Sequence, residues 1–253
     1  MKFSFIRIAA CIDKFGLWNG LKIYSKLKFN WLHSIQVPGI SFPLSLRKNT
    51  TDKAVFDQVF LQDEYNFPIS FIPEMIIDAG ANIGLFSILM KNKFRNSTII
   101  AIEPDLENME WLQKNCKQYS GIQPVMAGLW SEDCKLKLID EEGKSGIRVM
   151  RGDDNDILNG ISISTIMCTY GIKKIDILKL DIECSEKDLF LENYENWLPK
   201  TKIIIIELHD WIRLGCANSF FTAVQKCIKN YRYTICGENT IIENLDIESV
   251  GIT

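Results

Sequence analysis

The apolar run at residues 75–79 leads into a segment with the residue types and spacing of a nucleotide-binding turn. The residues concerned are Asp78, Gly80, Asn82 and Gly84. Open α/β sheets bind ligands at such strand-to-helix turns, outside the carboxyl ends of their strands. Glycine lets the backbone approach a ligand without an intervening Cβ, and asparagine is among the few other residues that tolerate left-handed geometry. The pattern therefore predicts that this turn holds a nucleotide.

A carboxylate at the end of the next apolar run narrows the choice of nucleotide. Glu103 lies 19 residues after Gly84, close to the ~20 expected for an acid that binds ribose hydroxyls. The turn reads Gly-Ala-Asn-Ile-Gly and lacks the GxGxxG pattern that a dinucleotide pyrophosphate requires. S-adenosylmethionine has no phosphate, so we predict it as the cofactor, with a dinucleotide-dependent oxidoreductase as the disfavoured alternative.

A second cluster of ionisable residues follows two later apolar runs: Asp181, Glu183, Glu207, His209 and Asp210. The carboxyl ends of neighbouring parallel strands meet at one edge of a sheet, so we expect these side chains to converge on one crevice. A hydroxyl is a poor nucleophile until its proton is removed, and a positioned base contributes ~10²–10⁴-fold. Asp181 and His209 are equal candidates for this base, and Glu183 and Glu207 complete the predicted catalytic group.

A divalent cation held by Asp181, Glu207 and Asp210 is the less favoured interpretation of this cluster. Under that interpretation a chelator should abolish activity. The eight cysteines form no CxxC pair and the chain has two histidines, which argues against a structural zinc site or a disulfide framework. We therefore predict a site that works without a metal.

Strands and helices alternate from residue 75 onwards. The predicted strands are residues 75–79, 98–103, 122–127, 175–180 and 202–208, and the predicted helices are residues 85–93, 106–116, 185–198 and 220–230. This alternation predicts a doubly wound, mostly parallel α/β sheet. Residues 134–150 predict an inserted β-hairpin, and residues 231–244 predict an antiparallel pair at the end of the sheet.

The N-terminal part has a different pattern. Residues 4–27 show helical spacing interrupted by glycines, which is as typical of two short helices as of one long helix. Residues 37–47 are broken by proline and predict a short hairpin or edge strand. Thr51 or Asp52 is the expected cap of a helix through residues 54–61.

We accordingly divide the chain into an extension of residues 1–70, which packs on or caps the site, and a cofactor-binding domain of residues 71–253. The overall composition, 47% hydrophobic and 24% charged, is that of an ordinary globular protein. No apolar stretch approaches the ~18 residues of a membrane span, and Arg7 and Asp13 interrupt the apolar start. We interpret that start as mature protein and predict a cytoplasmic location.

Several separated blocks of the chain resemble the FkbM family of methyltransferases. They are residues 47–65, 76–87, 101–115, 127–133, 175–186 and 203–209. The resemblance implies a class I, Rossmann-like methyltransferase fold, S-adenosylmethionine as cofactor and O-methylation of a hydroxyl. The acceptor implied is a carbohydrate of a surface polysaccharide or glycolipid precursor. The alternatives are a small natural product as acceptor, or a non-catalytic cofactor-binding protein of the same fold.

Matched to the family pattern, the cofactor-binding residues are Asp78, Gly80, Asn82, Gly84, Glu103, Ala127, Gly128 and Asp181. Ala127 and Gly128 match positions that flank the adenine. The family usually shows Asp-x-Glu-Gly after its fourth strand, and here Cys184 stands at the glycine position. If that turn requires a positive φ, Cys184 is strained and the acceptor side is reshaped.

Charge is distributed unevenly. Residues 1–50 contain eight basic residues and one acidic residue, a charge of +7, whereas the whole chain carries −3, so the other 203 residues carry −10. An acidic body argues against a nucleic acid as substrate. The basic and aromatic residues 1–30 suit peripheral contact with the inner face of an anionic membrane. Packing on the catalytic domain or a homodimer contact is the favoured role of this segment.

Overall fold

The computed structural model describes residues 2–139 and 148–248. Its α-helices are α1 (Lys2–Phe15), α2 (Leu17–Lys28), α3 (Asp52–Phe56), α4 (Leu85–Lys93), α5 (Leu106–Cys116), α6 (Ile163–Thr169), α7 (Glu186–Leu189) and α8 (Cys216–Cys227). A π-helix (Asp57–Leu61) continues α3. Two short 3₁₀ helices (Tyr194–Asn196 and Leu198–Lys200) lie directly before the strand Thr201–Glu207. None of the helices within these two ranges is long and apolar enough to cross a bilayer.

The strands are β1 (Met75–Ala79), β2 (Thr98–Glu103), β3 (Ile122–Met126), β4 (Gly128–Trp130), β5 (Cys134–Ile139), β6 (Arg148–Arg151), β7 (Leu158–Ser162), β8 (Ile175–Leu180), β9 (Thr201–Glu207), β10 (Tyr231–Cys236) and β11 (Asn239–Asn244). Seven of them form the central sheet, in the order β10-β11-β9-β8-β1-β2-β3. β1, β2, β3, β8 and β9 are parallel, and the β10–β11 hairpin joins antiparallel to β9. The predicted fold, a mostly parallel sheet with a terminal antiparallel hairpin, is confirmed.

The chain adds strands first on one side of β1 and then on the other. β1 therefore pairs with β2 on one side and with β8 on the other. A crevice forms at such a switch point, because the connections from the two neighbouring strands leave in opposite directions. The carboxyl ends of β1, β2 and β8 therefore define where a ligand binds.

Both faces of the central strands are buried. Successive side chains of a strand point to opposite faces, so Ile203 and Ile205 pack in one hydrophobic core while Ile204 and Ile206 pack in the other. Burial of each such side chain contributes ~1.5–3 kcal/mol. The isoleucine run of β9 is thus explained by a strand covered on both sides, which holds its end rigidly at the crevice.

A second sheet, in the order β4-β7-β5-β6, was not predicted. The strands of the predicted hairpin at residues 134–150 are present as the antiparallel pair β5–β6, and its turn lies outside the described residues. β4 follows β3 directly and pairs in parallel with β7. This sheet brings Val149 of β6 to the crevice of the central sheet.

The helix predicted at residues 185–198 is shorter than expected. The α-helical part ends at Leu189, and Asn193 adopts a left-handed φ of 62° that a helix cannot continue. The helix predicted at residues 220–230 is displaced towards the N terminus and runs as α8 from Cys216 to Cys227. Helices α4 and α5 have the predicted bounds.

The N-terminal residues form two helices, as one of the predicted alternatives had it, with the break at Gly16 (φ 77°). Arg7 of α1 forms an ion pair with Asp57 of the π-helix at 2.6 Å. The short hairpin or edge strand predicted at residues 37–47 is reduced to one antiparallel bridge, between Ile35 and Leu44, and the segment contains no strand. Its apolar side chains are instead buried in the core that lies under the central sheet.

Candidate active site

The predicted nucleotide loop connects β1 to α4 and has three residues in the left-handed region. Gly80, Asn82 and Gly84 have φ values of 72°, 50° and 87°. Gly80 has no tolerable replacement, because a Cβ at this position would lie 1.7 Å from the carbonyl oxygen of Asp181. The loop therefore packs directly against the residue that follows β8, and the two predicted parts of the site are in contact.

Glu103 ends β2 beside this loop and lines the cleft between β1, β2 and β8. Its Oε2 accepts a hydrogen bond from the backbone N–H of Asn82 (2.7 Å). Its Oε1 accepts from the backbone N–H of Asp105 (3.0 Å) and from Nδ2 of Asn108 (3.1 Å). Burial raises the pKa of this carboxyl, although these hydrogen bonds oppose the shift. A carboxylate has roughly four lone-pair directions, so one remains on Oε2 for a ligand hydroxyl.

The other predicted cofactor residues divide into two groups. Ala127 and Gly128 line the cleft opposite the loop. Asp78 and Gly84 lie behind the loop: Asp78 is fully buried and accepts a hydrogen bond from Ser87 Oγ (2.6 Å), and Gly84 starts α4. These two residues shape the loop and do not belong to the lining of the cleft.

Sequence reasoning missed Asn108, which lines the cleft next to Glu103. Its backbone N–H is capped by Asp105 Oδ1 (2.8 Å) at the start of α5. Its Oδ1 accepts a hydrogen bond from Nη2 of Arg47 (2.7 Å), whose guanidinium also binds Asp52. Asp52 thus pairs with Arg47 and is not the side-chain cap predicted for α3. The available signal for Asn108 was its place three residues after a capping aspartate, in the first turn after β2.

A buried lysine joins the two halves of the site. Nζ of Lys179 donates to the carbonyl oxygen of Gly80 (2.7 Å) and lies 3.5 Å from both Asp78 Oδ1 and Asp181 Oδ2. Burial lowers the pKa of Lys179, but the negative charges of Asp181 and Asp78 raise it further, so the net shift is upward. The lysine is therefore charged and neutralises carboxylates on both sides of the loop.

The predicted catalytic residues meet at the ends of β8 and β9, as expected. Nε2 of His209 lies 3.9 Å from Asp181 Oδ1, 3.4 Å from Glu183 Oε2 and 3.5 Å from Glu207 Oε1. The His209 side chain is 2% exposed, whereas the three carboxylates are 20–29% exposed. One buried imidazole therefore lies beneath three carboxylates that face a cavity.

Glu186, which the sequence analysis did not single out, orients this imidazole. Its Oε1 lies 2.9 Å from Nδ1 of His209, and the Glu186 side chain is fully buried at the start of α7. Burial lowers the pKa of His209, but the hydrogen bond and charge of Glu186 and the charges of Glu183 and Asp181 raise it to about 9. With this raised pKa the imidazole is protonated at neutral pH, so Asp181 is the better of the two predicted bases.

The carboxylates of the cluster also influence one another. Burial, followed by the charge of Asp181, raises the pKa of Glu183 to about 7 and that of Glu207 to about 7, against the opposing charge of His209. These shifts indicate that the cluster holds more negative charge than its single imidazolium compensates.

The inclusion of Asp210 in the cluster was wrong. Its Oδ1 accepts a hydrogen bond from the backbone N–H of Gly215 (2.9 Å) and its Oδ2 accepts from that of Ala217 (2.6 Å). The side chain is therefore committed to the N terminus of α8, where a carboxylate is favoured by the unpaired N–H groups. Within residues 2–139 and 148–248, Asp181, Glu207 and His209 are the group of side chains that could hold a metal ion.

The carboxylates open into a cavity of about 590 Å³. Gln58 of the π-helix, Glu238 of the β10–β11 turn and Trp211 form its outer walls. Trp211 is 69% exposed, and its ring centroid lies 6.2 Å from that of His209. Asp181 lines this cavity and also the cleft at Glu103, as do Asn82 and Glu183, so the two spaces adjoin at these three residues.

Comparison with known proteins identifies the arrangement. The model of the methyltransferase FkbM domain matches residues 78–235, more than half of the chain. The chain belongs to the FkbM methyltransferase family. The family predicted from the sequence blocks is thus confirmed, and the chain is a methyltransferase by family.

Individual members of this and related families are distant in sequence. The chain is 24% identical over 181 residues to methyltransferase 1 of Beauveria bassiana, covering 62% of this chain and 73% of the relative. It is 25% identical over 191 residues to methyltransferase sdnD of Sordaria araneosa, covering 60% and 73%. The crystal structure of methyltransferase FkbM from Methylobacillus flagellatus superposes with a TM-score of 0.52 at 15% identity. The superposition covers 95% of this chain and 58% of the Methylobacillus flagellatus chain, and it supports the fold.

Cys184 departs from the FkbM pattern at a position where the backbone does require a glycine-like conformation. Its φ is 79°, and the preceding Glu183 has a φ of 49°. A residue with a Cβ in this region costs ~1–3 kcal/mol. The side chain is 4% exposed, so the strain is retained within a well-packed turn that aims Glu183 at the cavity.

We expect the Cys184→Gly variant to be more stable than Cys184→Ala by about 1 kcal/mol. Both substitutions remove the sulfur, but only alanine keeps the Cβ that the left-handed conformation disfavours. Urea unfolding followed by circular dichroism measures the difference. At the exposed Cys168 of α6 the order should reverse, because glycine is the weaker helix former. The same order at both positions would contradict the strain at Cys184.

Proposed function

We propose that this chain is an S-adenosylmethionine-dependent O-methyltransferase that acts on a hydroxyl of a carbohydrate. The observation that carries the proposal is the position of Asp181. Its carboxylate borders both the cleft at Glu103 and the larger acidic cavity, so a base stands where a methyl donor in one space would meet a hydroxyl in the other.

The cleft has the groups that the cofactor requires. Gly80 leaves the backbone open, and Glu103 retains an acceptor for a ribose hydroxyl. Oδ1 of Asn82 is buried, and no partner for it lies within the described part of the chain. This amide oxygen is suited to accept from a hydroxyl or amino group of the cofactor. When bound, S-adenosylmethionine supplies an electrophilic methyl carbon on a positively charged sulfur.

The reaction needs the acceptor proton to leave as the new O–CH₃ bond forms. Asp181 would accept that proton as the hydroxyl oxygen bonds to the methyl group of a bound cofactor, whose thioether sulfur would be the leaving group. Lys179 and the packing of Gly80 hold Asp181 in register with the cofactor loop. Most of the remaining acceleration comes from proximity and alignment of the two reactants.

The large cavity favours a neutral, hydroxyl-rich acceptor. Glu207, Glu238 and Gln58 provide hydrogen-bonding groups along its walls, and the exposed indole of Trp211 provides an apolar face on which a sugar ring can stack. The surplus of carboxylates disfavours phosphorylated or otherwise anionic acceptors. A small natural product with several hydroxyls is the second acceptor class that this chemistry accommodates.

Parallel calorimetric titrations with S-adenosylmethionine and NAD test the cofactor. We expect micromolar binding of the first and no heat from the second, because the loop lacks the glycine pattern for a pyrophosphate. Transfer of a labelled methyl group to neutral oligosaccharides, uronic acid oligosaccharides and polyhydroxylated small molecules then tests the acceptor. Labelling of only the anionic glycans, or binding of NAD alone, would overturn the proposal.

A further inference from the structure

The ends of β8 and β9 place three ligand atoms of mixed type close together. One carboxylate oxygen of Asp181, one of Glu207 and one imidazole nitrogen of His209 all lie within 4.8 Å of one another. Two carboxylates and an imidazole form a donor set that divalent metal ions use in proteins. Glu207 is the last residue of β9, and Asp181 and His209 lie just beyond the ends of β8 and β9, two neighbouring strands that are buried on both faces.

The buried imidazole points to a ligand independently of the carboxylates. Nδ1 of His209 is held by Glu186, which leaves Nε2 as the nitrogen directed at the cavity. Among the described residues Nε2 forms ion pairs with Glu183, Glu207 and Asp181 at 3.4–3.9 Å, so it faces the carboxylates that line the cavity. A metal-binding histidine characteristically has its second nitrogen bonded to a carboxylate in this way, which fixes the tautomer and the ring.

The charge around this nitrogen also favours a cation. Asp181, Glu183, Glu186 and Glu207 surround one imidazole. Lys179 is the cation nearest to Asp181 among the described residues, and it is shared with Asp78 and Gly80. A divalent ion among the oxygens would remove this imbalance without any movement of the strands.

We propose that Asp181, Glu207 and His209 bind one divalent cation of the Mn²⁺ type, with Glu183 as the adjacent carboxylate. The imidazole favours a first-row transition-metal ion over Ca²⁺ or Mg²⁺, whose protein sites are built from oxygen ligands, and the two carboxylates suit Mn²⁺ among the transition metals. The cation occupies the position of the Nε2 proton. Its role rests on the proposed function: it binds the acceptor hydroxyl beside Asp181 and lowers the pKa of that hydroxyl as a Lewis acid.

Titration of the metal-free protein with Mn²⁺, followed by the electron paramagnetic resonance signal of the free ion, tests the site without any acceptor. We expect one Mn²⁺ per chain. Glu207→Gln should weaken the affinity at least about tenfold, because an amide oxygen replaces a charged ligand. The matched control is Glu238→Gln, since Glu238 lines the same cavity but lies outside the ligand set. The affinity of this variant for Mn²⁺ should differ from that of the unaltered chain by less than about threefold.

Three results would overturn the inference: no depletion of free Mn²⁺ at millimolar protein, equal weakening by the two glutamine variants, or several ions bound per chain. Equal weakening would mean that the acidic cavity attracts cations without a defined site. Circular dichroism and calorimetry with S-adenosylmethionine on the same variants show that the fold and the cleft are intact. If the protein binds S-adenosylmethionine but not Mn²⁺, only the proposed metal site is contradicted. If it binds Mn²⁺ but not S-adenosylmethionine, only the proposed cofactor is contradicted.

Discussion

Asp181→Asn is expected to lower kcat by about 10²–10⁴-fold while the affinity for S-adenosylmethionine changes little. The substitution keeps the size of the side chain but removes the group that accepts the acceptor proton. Asp78 remains as a partner for the buried Lys179, so the fold should tolerate the change. Single-turnover methyl transfer with saturating cofactor measures the chemical step directly.

The matched control for this substitution is Asp154→Asn. Asp154 is exposed in the loop between β6 and β7 and lies outside the residues that line either space. It should leave kcat unchanged. If Asp181→Asn transferred methyl groups at the rate of the unaltered chain, Asp181 would have no part in proton removal, and Glu183 would become the candidate base at the same boundary.

Glu103→Gln is expected to weaken S-adenosylmethionine binding by about tenfold to a hundredfold. A hydrogen bond to a charged group contributes ~1.5–3 kcal/mol, and this carboxylate both retains an acceptor for a ribose hydroxyl and holds the backbone of Asn82. An amide offers one acceptor atom and turns its NH₂ group towards N–H donors. The loss should appear in the dissociation constant, whereas kcat at saturating cofactor should fall less.

Glu110→Gln serves as the control, because Glu110 is exposed on α5, the helix that follows β2. Calorimetric titration of both variants distinguishes a local effect from a general loss of negative charge. Unchanged affinity in Glu103→Gln would mean that this acid does not contact the cofactor, and the nucleotide would then have to lie elsewhere along the crevice.

The two substitutions together separate the two spaces of the site. Loss of turnover with intact cofactor binding in Asp181→Asn, and the opposite pattern in Glu103→Gln, are the signature of a donor cleft and an acceptor cavity that share one wall. A single binding space would instead give mixed effects in both variants.

The sequence alone determined the order of the five parallel strands and, to within one residue, their ends. Runs such as residues 175–180 and 202–208 are apolar on both faces, which only a strand covered by helices on both sides explains. The turn at Gly80 and the acid at Glu103 were predictable because backbone conformation and strand length are local properties. The prediction of a hairpin or edge strand failed at residues 37–47, where the apolar residues are buried under the sheet and the pairing is limited to the bridge between Ile35 and Leu44.

Only the tertiary structure decided which polar side chains point into the site. His209 and Asp210 are adjacent in the chain, yet the first is directed at the carboxylates and the second at the N terminus of α8. Glu186 has no distinguishing local signal, and the place of Asn108 after a capping aspartate does not show where its side chain points, since both roles depend on partners from other strands and loops. Side-chain direction beyond the end of a strand follows from long-range packing, because no periodicity constrains a loop, and so it becomes defined only when the sheet has assembled.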